Sequence, residues 1–210
     1  MNSNFNPLSP EELVSRINKI PRIRLAQLPT ALEYAPNISK ELNINLYIKR
    51  DDCTALAFGG NKTRHLEFIM AKTLSGEYDC ILTGAASQSN FCRQAVAAAN
   101  KLNLDSYLVL MHGVKGKLMQ GNFLLYNILG ANVDVVDGEN LEHIPKHLDK
   151  KYDELIKEGR KPLLIYGGFG EEDTTLAGIS YANTMAEIDK QMKNQNFIAD
   201  HLFVTAANMT

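Results

Sequence analysis

The sequence predicts an α/β fold in which helices pack on a sheet of parallel strands. Short apolar runs alternate with longer helical segments along the chain, an order typical of parallel strands joined by helical crossovers. The apolar runs are also continuous rather than alternating, as in Leu108-Val109-Leu110. A strand that is covered by helices on both faces has this pattern.

The first helix is predicted from the residues at its start. Ser9 is a preferred N-cap residue and Pro10 suits the first helical position. Glu12 can hydrogen-bond back to the backbone of Ser9, which completes a capping box. Leu13 and Ile17 then begin an apolar stripe with helical spacing.

Strands and helices alternate after this helix. The predicted strands are Asn45–Lys49, Cys80–Thr83, Tyr107–Met111, Val133–Val136, Leu163–Tyr166 and Leu202–Thr205. The predicted helices are Lys62–Leu74, Asn90–Leu102, Lys117–Leu129, Leu141–Lys157 and Thr174–Met192. The helix that begins at Asn90 is rich in alanine, and such small side chains let a helix approach a sheet closely.

The bulk composition argues against nucleic-acid and membrane partners. The chain has 210 residues, of which 45% are hydrophobic and 22% charged, and its formal net charge is −2. These values are typical of one globular domain or two small lobes. No apolar run is long enough to span a membrane, and the N-terminus lacks the pattern of a secretory signal. The 3 cysteines have no CxxC spacing, which predicts free thiols in a reducing cytoplasm.

The first chemically unusual junction precedes the helix that begins at Lys62. Gly59 and Gly60 allow a close approach of the backbone to a ligand, and Asn61 is a good N-cap residue. In the first helical turn, Lys62 meets the positive end of the helix dipole. This position disfavours the ammonium form and promotes a neutral, nucleophilic amine. The alternative is a solvated lysine after an ordinary turn, and His65 on the same helix is expected at the surface or just outside a site.

The second junction follows the predicted strand that ends at Thr83. Small residues lead into Gln88, Ser89 and Asn90 at the start of the next helix. Backbone N–H groups at a helix start can hold a carboxylate or a phosphate, and these side chains would add oriented hydrogen bonds. The alternative is that Ser89 or Asn90 merely caps the helix.

No metal site is predicted. His143 and His147 are four residues apart, the spacing of two metal ligands on one helical face. Pro145 lies between them, and the sequence places no third ligand beside them.

In their order and spacing, the two junctions resemble the pyridoxal-phosphate enzymes of the tryptophan-synthase-β type (fold type II). Within this group the chain resembles the family of D-cysteine desulfhydrase and 1-aminocyclopropane-1-carboxylate deaminase. The likeness covers nearly the whole chain, and the segments that carry it are Arg24–Thr30, Ile48–Asp52, Gly59–Glu67, Gln88–Asn90, Arg93-Gln94, Ala97–Ala99, Gly167-Gly168 and Ala177–Tyr181.

The resemblance implies a two-lobed fold with parallel twisted sheets and flanking helices. A large cofactor-binding lobe is expected from residues 1–65 and 174–210, with its C-terminal part truncated. A small, mobile α/β lobe is expected from residues 66–173, and it would close over the substrate.

The resemblance also implies roles for individual residues. Lys62 is expected to hold pyridoxal 5'-phosphate covalently and to carry a proton at the substrate α-carbon. Asn61 and Asn90 are expected to bind the cofactor, Asn90 at its phenolic oxygen. Gln88, Ser89 and Asn90 are expected to bind the substrate. Ser89 matches the family serine at the substrate carboxylate. That serine takes part in catalysis in the members that open a cyclopropane ring, so Ser89 is expected to be catalytic as well.

The implied activity is that of a pyridoxal-phosphate-dependent lyase or deaminase that converts a small amino acid into a 2-oxo acid and ammonia. The chain is expected either to form a homo-oligomer such as a dimer or to need a complementing C-terminal segment. Phe91 stands where many members have histidine, so we expect a changed substrate choice. Ala206–Thr210 lacks the glycines that let a phosphate approach the backbone, and members of the family continue past this point.

Two other hypotheses compete with this one. A truncated or degenerate relative without catalysis could serve as a binding or regulatory module, and the short length and the glycine-free terminal loop favour it. A nucleotide-binding βα module ranks last, because the chain lacks both a GxGxxG pattern and a Walker loop.

Overall fold

The computed structural model describes residues 8–112, 118–138 and 140–205 of the chain. Its α-helices are α1 (Pro10–Ile17), α2 (Pro36–Leu42), α3 (Lys62–Ile69), α4 (Asn90–Lys101), α5 (Gly121–Ile128), α6 (Ile144–Lys157) and α7 (Glu171–Asn194). Its strands are β1 (Leu32–Tyr34), β2 (Tyr47–Lys49), β3 (Cys80–Ala86), β4 (Asp105–Met111), β5 (Asn132–Val136) and β6 (Pro162–Ile165). Short 3₁₀ turns include Met70–Ser75 after α3 and Gly167–Phe169 after β6.

Within these ranges the strands form two sheets. β1 and β2 make an antiparallel ribbon in which Leu32 lies opposite Lys49. The other sheet has the order β5-β4-β3-β6, and its strands pair in parallel. Cys80 of β3 lies opposite Asp105 on one side and opposite Pro162 on the other. The predicted α/β class with a parallel sheet and flanking helices is therefore confirmed.

Both faces of the parallel sheet are covered by helices. Ile81 packs with Ala95 and Ala98 of α4 and with the buried side of α3. Its neighbour Leu82 points to the opposite face and packs with Ile144 and other residues of α6. Adjacent residues of a strand face opposite sides of the sheet. A sheet that is covered on both faces therefore requires apolar residues at successive positions, and this explains the continuous apolar runs.

The N-terminal helix begins as predicted. The Ser9 hydroxyl accepts from the backbone N–H of Glu12 at 3.2 Å, and the Glu12 carboxylate accepts from the backbone N–H of Ser9 at 3.1 Å. These two bonds satisfy N–H groups that the first turn of a helix leaves without partners. The helix then packs against α7, and its buried residue is Ile17.

The predicted strand Leu202–Thr205 is wrong. Residues 201–205 have no regular structure, and the Phe203 side chain is 87% exposed. A strand needs a neighbour to take up its backbone hydrogen bonds, and no strand in the described ranges lies beside this segment.

Smaller differences have local causes. The helix predicted over Lys62–Leu74 is α-helical only to Ile69 and tightens to a 3₁₀ turn from Met70. β1 and α2 were not predicted, and β1 is a three-residue strand that is too short to show a period. In the described part of the chain, no helix combines the length and the hydropathy that a membrane crossing requires.

Candidate active site

The connections of the parallel sheet diverge at the carboxyl ends of β3 and β6. β3 leads through α4 to β4 on one side, whereas β6 lies on the other side of β3 and leads to α7. Open parallel sheets bind ligands at such a point. A cavity of about 310 Å³ lies here, and its walls include Lys62, Ser89 and Asn90. Its size is at the lower end of the range of small-molecule pockets, roughly 300–1,000 Å³.

A larger groove of about 650 Å³ lies between α1 and α7, bounded by residues such as Val14 and Ala186. It contains none of the predicted site residues, and it is a more open surface feature. We therefore place the candidate site in the smaller cavity, where the predicted residues meet.

Lys62 is the first residue of α3 and lines the cavity. Its side chain is partly buried, and burial lowers the pKa of its amine below the usual 10.5. Removal of water penalises the ammonium form, so the neutral, nucleophilic form is more populated than in a solvated lysine. The sequence argument attributed this effect to the helix dipole, and the structure adds burial as a cause.

The glycine pair before Lys62 is required by the packing of the chain itself. Gly59 has φ +73°, and a Cβ there would lie 1.9 Å from the carbonyl oxygen of Asp52. Gly60 has φ +126°, and a Cβ there would lie 2.5 Å from Nε2 of Gln94. The expected reason for the pair was room for a ligand, but protein atoms occupy the space beside both residues.

Asn61 does not cap α3 as predicted. Its backbone already has helical dihedrals, φ −58° and ψ −25°, and its side chain makes no cap hydrogen bond. The usual N-cap geometry requires an extended backbone at this residue. Its side-chain amide instead donates to the hydroxyl of Tyr181 on α7. Asn61 lies outside the cavity walls, and its contact with the cofactor stays a prediction.

Ser89 combines the two roles that the sequence left open. Its hydroxyl accepts from the backbone N–H of Cys92 at 3.2 Å and so caps α4, while the residue also lines the cavity. The Ser89 carbonyl accepts from the buried Tyr126 hydroxyl at 2.8 Å, which holds the turn in place. Asn90 follows as the first residue of α4 and lines the same cavity.

Gln88 lies beside the cavity rather than in its wall. Its amide nitrogen donates to the carbonyl of Gln120 at 3.0 Å, and its amide oxygen accepts from the backbone N–H of Asn122 at 2.9 Å. Gln88 thus joins its turn to the start of α5, and its contact with substrate stays a prediction. The Phe91 ring does line the cavity.

Two further residues of the cavity wall were not among the predicted site residues. His65 was expected at the surface or just outside a site; it is 2% exposed, so the surface alternative is wrong and the position at the site remains. Burial lowers its pKa to about 3, and its Nε2 has no hydrogen-bond partner in the described part of the chain. Its position three residues after Lys62, on the same helix face, was the available signal. Asp173, 6% exposed, accepts from the backbone N–H of Gly167 at 2.9 Å, and burial raises its pKa.

The residues of the cavity fit pyridoxal phosphate. An aldehyde cofactor needs a neutral amine, the form of Lys62 that burial favours, and its phenolic oxygen needs a donor, which the Asn90 amide can supply. The unpartnered, buried Nε2 of His65 adds a polar group on the same wall. The Ala206–Thr210 segment, where the sequence departs from a glycine-rich phosphate loop, lies outside the described residues.

Comparison with known families decides the classification. The family described as "Pyridoxal-phosphate dependent enzyme" matches residues 23–208. The chain belongs to this family. The chain is 38% identical over 181 residues to a Pyrococcus horikoshii protein named "Putative 1-aminocyclopropane-1-carboxylate deaminase", covering 86% of the chain and 54% of that protein. It is 35% identical over 183 residues to a D-cysteine desulfhydrase of Klebsiella pneumoniae, covering 85% and 54%.

Solved structures place this pyridoxal-phosphate-dependent family member in the expected fold. A crystal structure of an "ACC deaminase homologue" has a TM-score of 0.77 and 37% identity, over 85% of the chain and 53% of that structure. A diaminopropionate ammonia lyase of Escherichia coli has a TM-score of 0.62 at 15% identity and shows the fold alone. The predicted fold class is confirmed, and the chain spans about half the length of the relatives it matches.

Proposed function

We propose that the chain is part of a pyridoxal-phosphate-dependent lyase or deaminase that converts a small amino acid into a 2-oxo acid and ammonia. The observation that carries the proposal is that Lys62 and the Ser89-Asn90 turn line one cavity at the divergence of β3 and β6. These groups come from two helix starts that are distant in the sequence, and their convergence on one cavity is what a bound ligand requires. The names of the relatives at 35–38% identity support the same reaction class.

When bound, pyridoxal phosphate supplies an electron sink for the bond that breaks at the substrate α-carbon. The part of Lys62 is to hold the cofactor and then to take and return a proton. Burial lowers the pKa of its amine and so favours the neutral form that can take the proton. The Ser89 hydroxyl already accepts from the Cys92 N–H, so its proton is available to a substrate carboxylate. Phe91 and Phe169 add apolar surface to the cavity wall.

We also propose the division into two lobes that the resemblance implies. Residues 66–173 contain the whole parallel sheet, and residues 1–65 and 174–210 contain α1, the β1–β2 ribbon and most of α7. The cavity has walls from α3 and α7 as well as from β3 and the start of α4. A movement of one part against the other would open and close it.

The small cavity and the names of the relatives support a small amino acid as the substrate. D-cysteine and 1-aminocyclopropane-1-carboxylate are the two candidates, and Phe91 is the residue that we expect to shift the choice. We propose a cytoplasmic protein, since Cys53, Cys80 and Cys92 are all free thiols. We propose that the enzyme is a homo-oligomer or is completed by a C-terminal segment, because Phe203 and Ile198 are largely exposed.

The test is binding of pyridoxal phosphate to the purified chain, measured by visible absorbance after removal of free cofactor. The band is expected in the wild type and absent in Lys62→Ala. Lys72→Ala is the matched control, since Lys72 follows the same helix but pairs with Glu172 at 2.8 Å outside the cavity. Equal bands in Lys62→Ala and Lys72→Ala would refute the proposal. Release of a 2-oxo acid from each of the two candidate substrates then assigns the reaction.

A further inference from the structure

We propose that Arg93 is a positioning residue that fixes the side-chain amide of Asn90, so that its NH₂ group faces the cofactor. This inference rests on the proposed function. Arg93 is on α4, one turn after Asn90, and its guanidinium lies behind the turn that lines the cavity.

The guanidinium of Arg93 joins the two motifs of the site. One terminal nitrogen donates to Oδ1 of Asn90 at 2.9 Å and to Oδ1 of Asn122 at 2.9 Å. The other donates to the carbonyl oxygen of Gly59 at 2.9 Å. One rigid, planar group therefore spans from the turn before Lys62 to the turn that carries Asn90.

The polarity of these bonds determines how the Asn90 amide is turned. A guanidinium has only donors, so the atom of Asn90 that faces it must be the oxygen. The NH₂ group is then the other end of the amide, and in the described ranges no protein acceptor takes it. A cofactor oxygen with negative charge needs a donor, whereas an amide in the opposite orientation would offer it an oxygen.

Asn122 at the start of α5 reinforces this orientation. Its amide nitrogen donates to Oδ1 of Asn90 at 3.0 Å and to the carbonyl of Gln88 at 2.8 Å. Its own Oδ1 accepts from Arg93, so the orientations of both asparagines are set by the same guanidinium. Oδ1 of Asn90 thus accepts two hydrogen bonds, and a rotation of the amide would lose both.

The surroundings of Arg93 suit this role better than a purely structural one. Its hydrogen-bond partners in the described residues are neutral oxygens, and no carboxylate of those residues pairs with it. A positive charge behind the cavity favours a negative oxygen in it. A lysine could not replace the guanidinium, because one ammonium cannot span from Gly59 to Asn90.

The first experiment measures pyridoxal-phosphate affinity and the spectrum of the bound cofactor. Arg93→Lys is expected to raise the Kd about tenfold, the equivalent of one lost charge-assisted hydrogen bond. Arg93→Lys is also expected to change the pH dependence of the absorbance band, since the phenolic oxygen of the cofactor loses the oriented NH₂ donor of Asn90. Arg160→Lys is the matched control, because Arg160 pairs with Asp79 and Asp105 at the opposite ends of the strands. An Arg93→Lys protein with wild-type affinity and spectrum would overturn the inference.

The second experiment needs no cofactor and separates this inference from the proposed function. The side-chain NH₂ resonances of Asn90, assigned by their loss in Asn90→Asp, are expected to shift in Arg93→Lys and in Asn122→Ala but not in Arg160→Lys. A shift without any cofactor binding by the wild type would support the positioning role and refute the proposed function. Unshifted resonances would refute the positioning role, even if Arg93→Lys lost affinity.

Discussion

A Cβ on Gly59 would lie 1.9 Å from the carbonyl oxygen of Asp52, closer than any real contact of two such atoms. The backbone of Gly59 has φ +73° and ψ −175°, a combination that only glycine adopts readily. Two independent reasons thus require glycine at position 59: the backbone conformation and the lack of space for a side chain. Gly59 lies in the turn that leads the chain into α3.

We predict that Gly59→Ala lowers the free energy of unfolding by more than about 3 kcal/mol, because strain and a backbone clash add. Gly76→Ala is the control, since Gly76 has the same φ of +73° but nothing within 4 Å of a Cβ. It should lose only about 1–2 kcal/mol from the left-handed backbone. Urea unfolding of both variants checks this. Equal losses would mean that the Asp52 contact is unimportant.

Glu67 is a buried carboxylate that ties α3 to the segment before β1. Its side chain is 1% exposed and accepts from the backbone N–H groups of Leu25 and Ala26, each at 2.9 Å, and from Arg22. Glu67→Gln should cost about 3–5 kcal/mol, since an amide places donors against donors in a buried site. Glu172→Gln is the control, since it removes the ion pair of Glu172 with Lys72. The Glu172 side chain is 71% exposed, so little change in the free energy of unfolding is expected. Urea unfolding distinguishes the two, and a mild effect of Glu67→Gln would contradict the argument.

Lys62 should react with carbonyl compounds at lower pH than an ordinary lysine. Burial lowers its pKa, so a larger fraction is neutral at a given pH, and only the neutral amine attacks. Reductive methylation with formaldehyde, followed by peptide mapping across a pH series, measures this. Lys150, with a side chain that is 78% exposed, is the reference within the same molecule. The prediction would be contradicted if Lys62 became methylated over the same pH range as Lys150, or only at higher pH.

His65 should make the fold sensitive to acid. Its pKa is about 3 in the folded chain because burial disfavours the cation, against 6.5 for an ordinary histidine. The unfolded chain therefore binds a proton first, and stability that is complete above pH 6.5 is lost as the pH falls toward 3. The expected slope is at most about 1.4 kcal/mol per pH unit.

The variant His65→Gln removes this titration and should flatten the decline in stability between these pH values. His143→Gln changes an exposed histidine on the surface and serves as the control. Denaturant unfolding at several pH values gives the comparison. An unchanged slope in His65→Gln would show that the buried ring is not the cause.

Local patterns were enough to predict much of the fold and part of the site. The capping box of Ser9 and Glu12 depends on residues three apart, and the helical and strand periods are equally local. Lys62 and the Ser89-Asn90 turn were found because strand ends and helix starts can be recognised from their neighbours in sequence. The parallel sheet places Ser89 and Asn90 after the carboxyl end of β3, and the packing of α3 against α4 brings Lys62 to the same cavity.

Long-range contacts determined the rest. Asn61 has a helical backbone and makes no side-chain cap, and its amide nitrogen donates instead to Tyr181, a residue more than a hundred positions away. The segment Leu202–Thr205 has the residues of a strand but no adjacent strand in the described chain. The sequence by itself determined most of the helices and the four strands of the parallel sheet, and it pointed to two turns as the carriers of the reactive groups. Only the tertiary structure decided which polar groups are buried and what they contact, because burial and hydrogen-bond partners depend on segments that are distant in sequence.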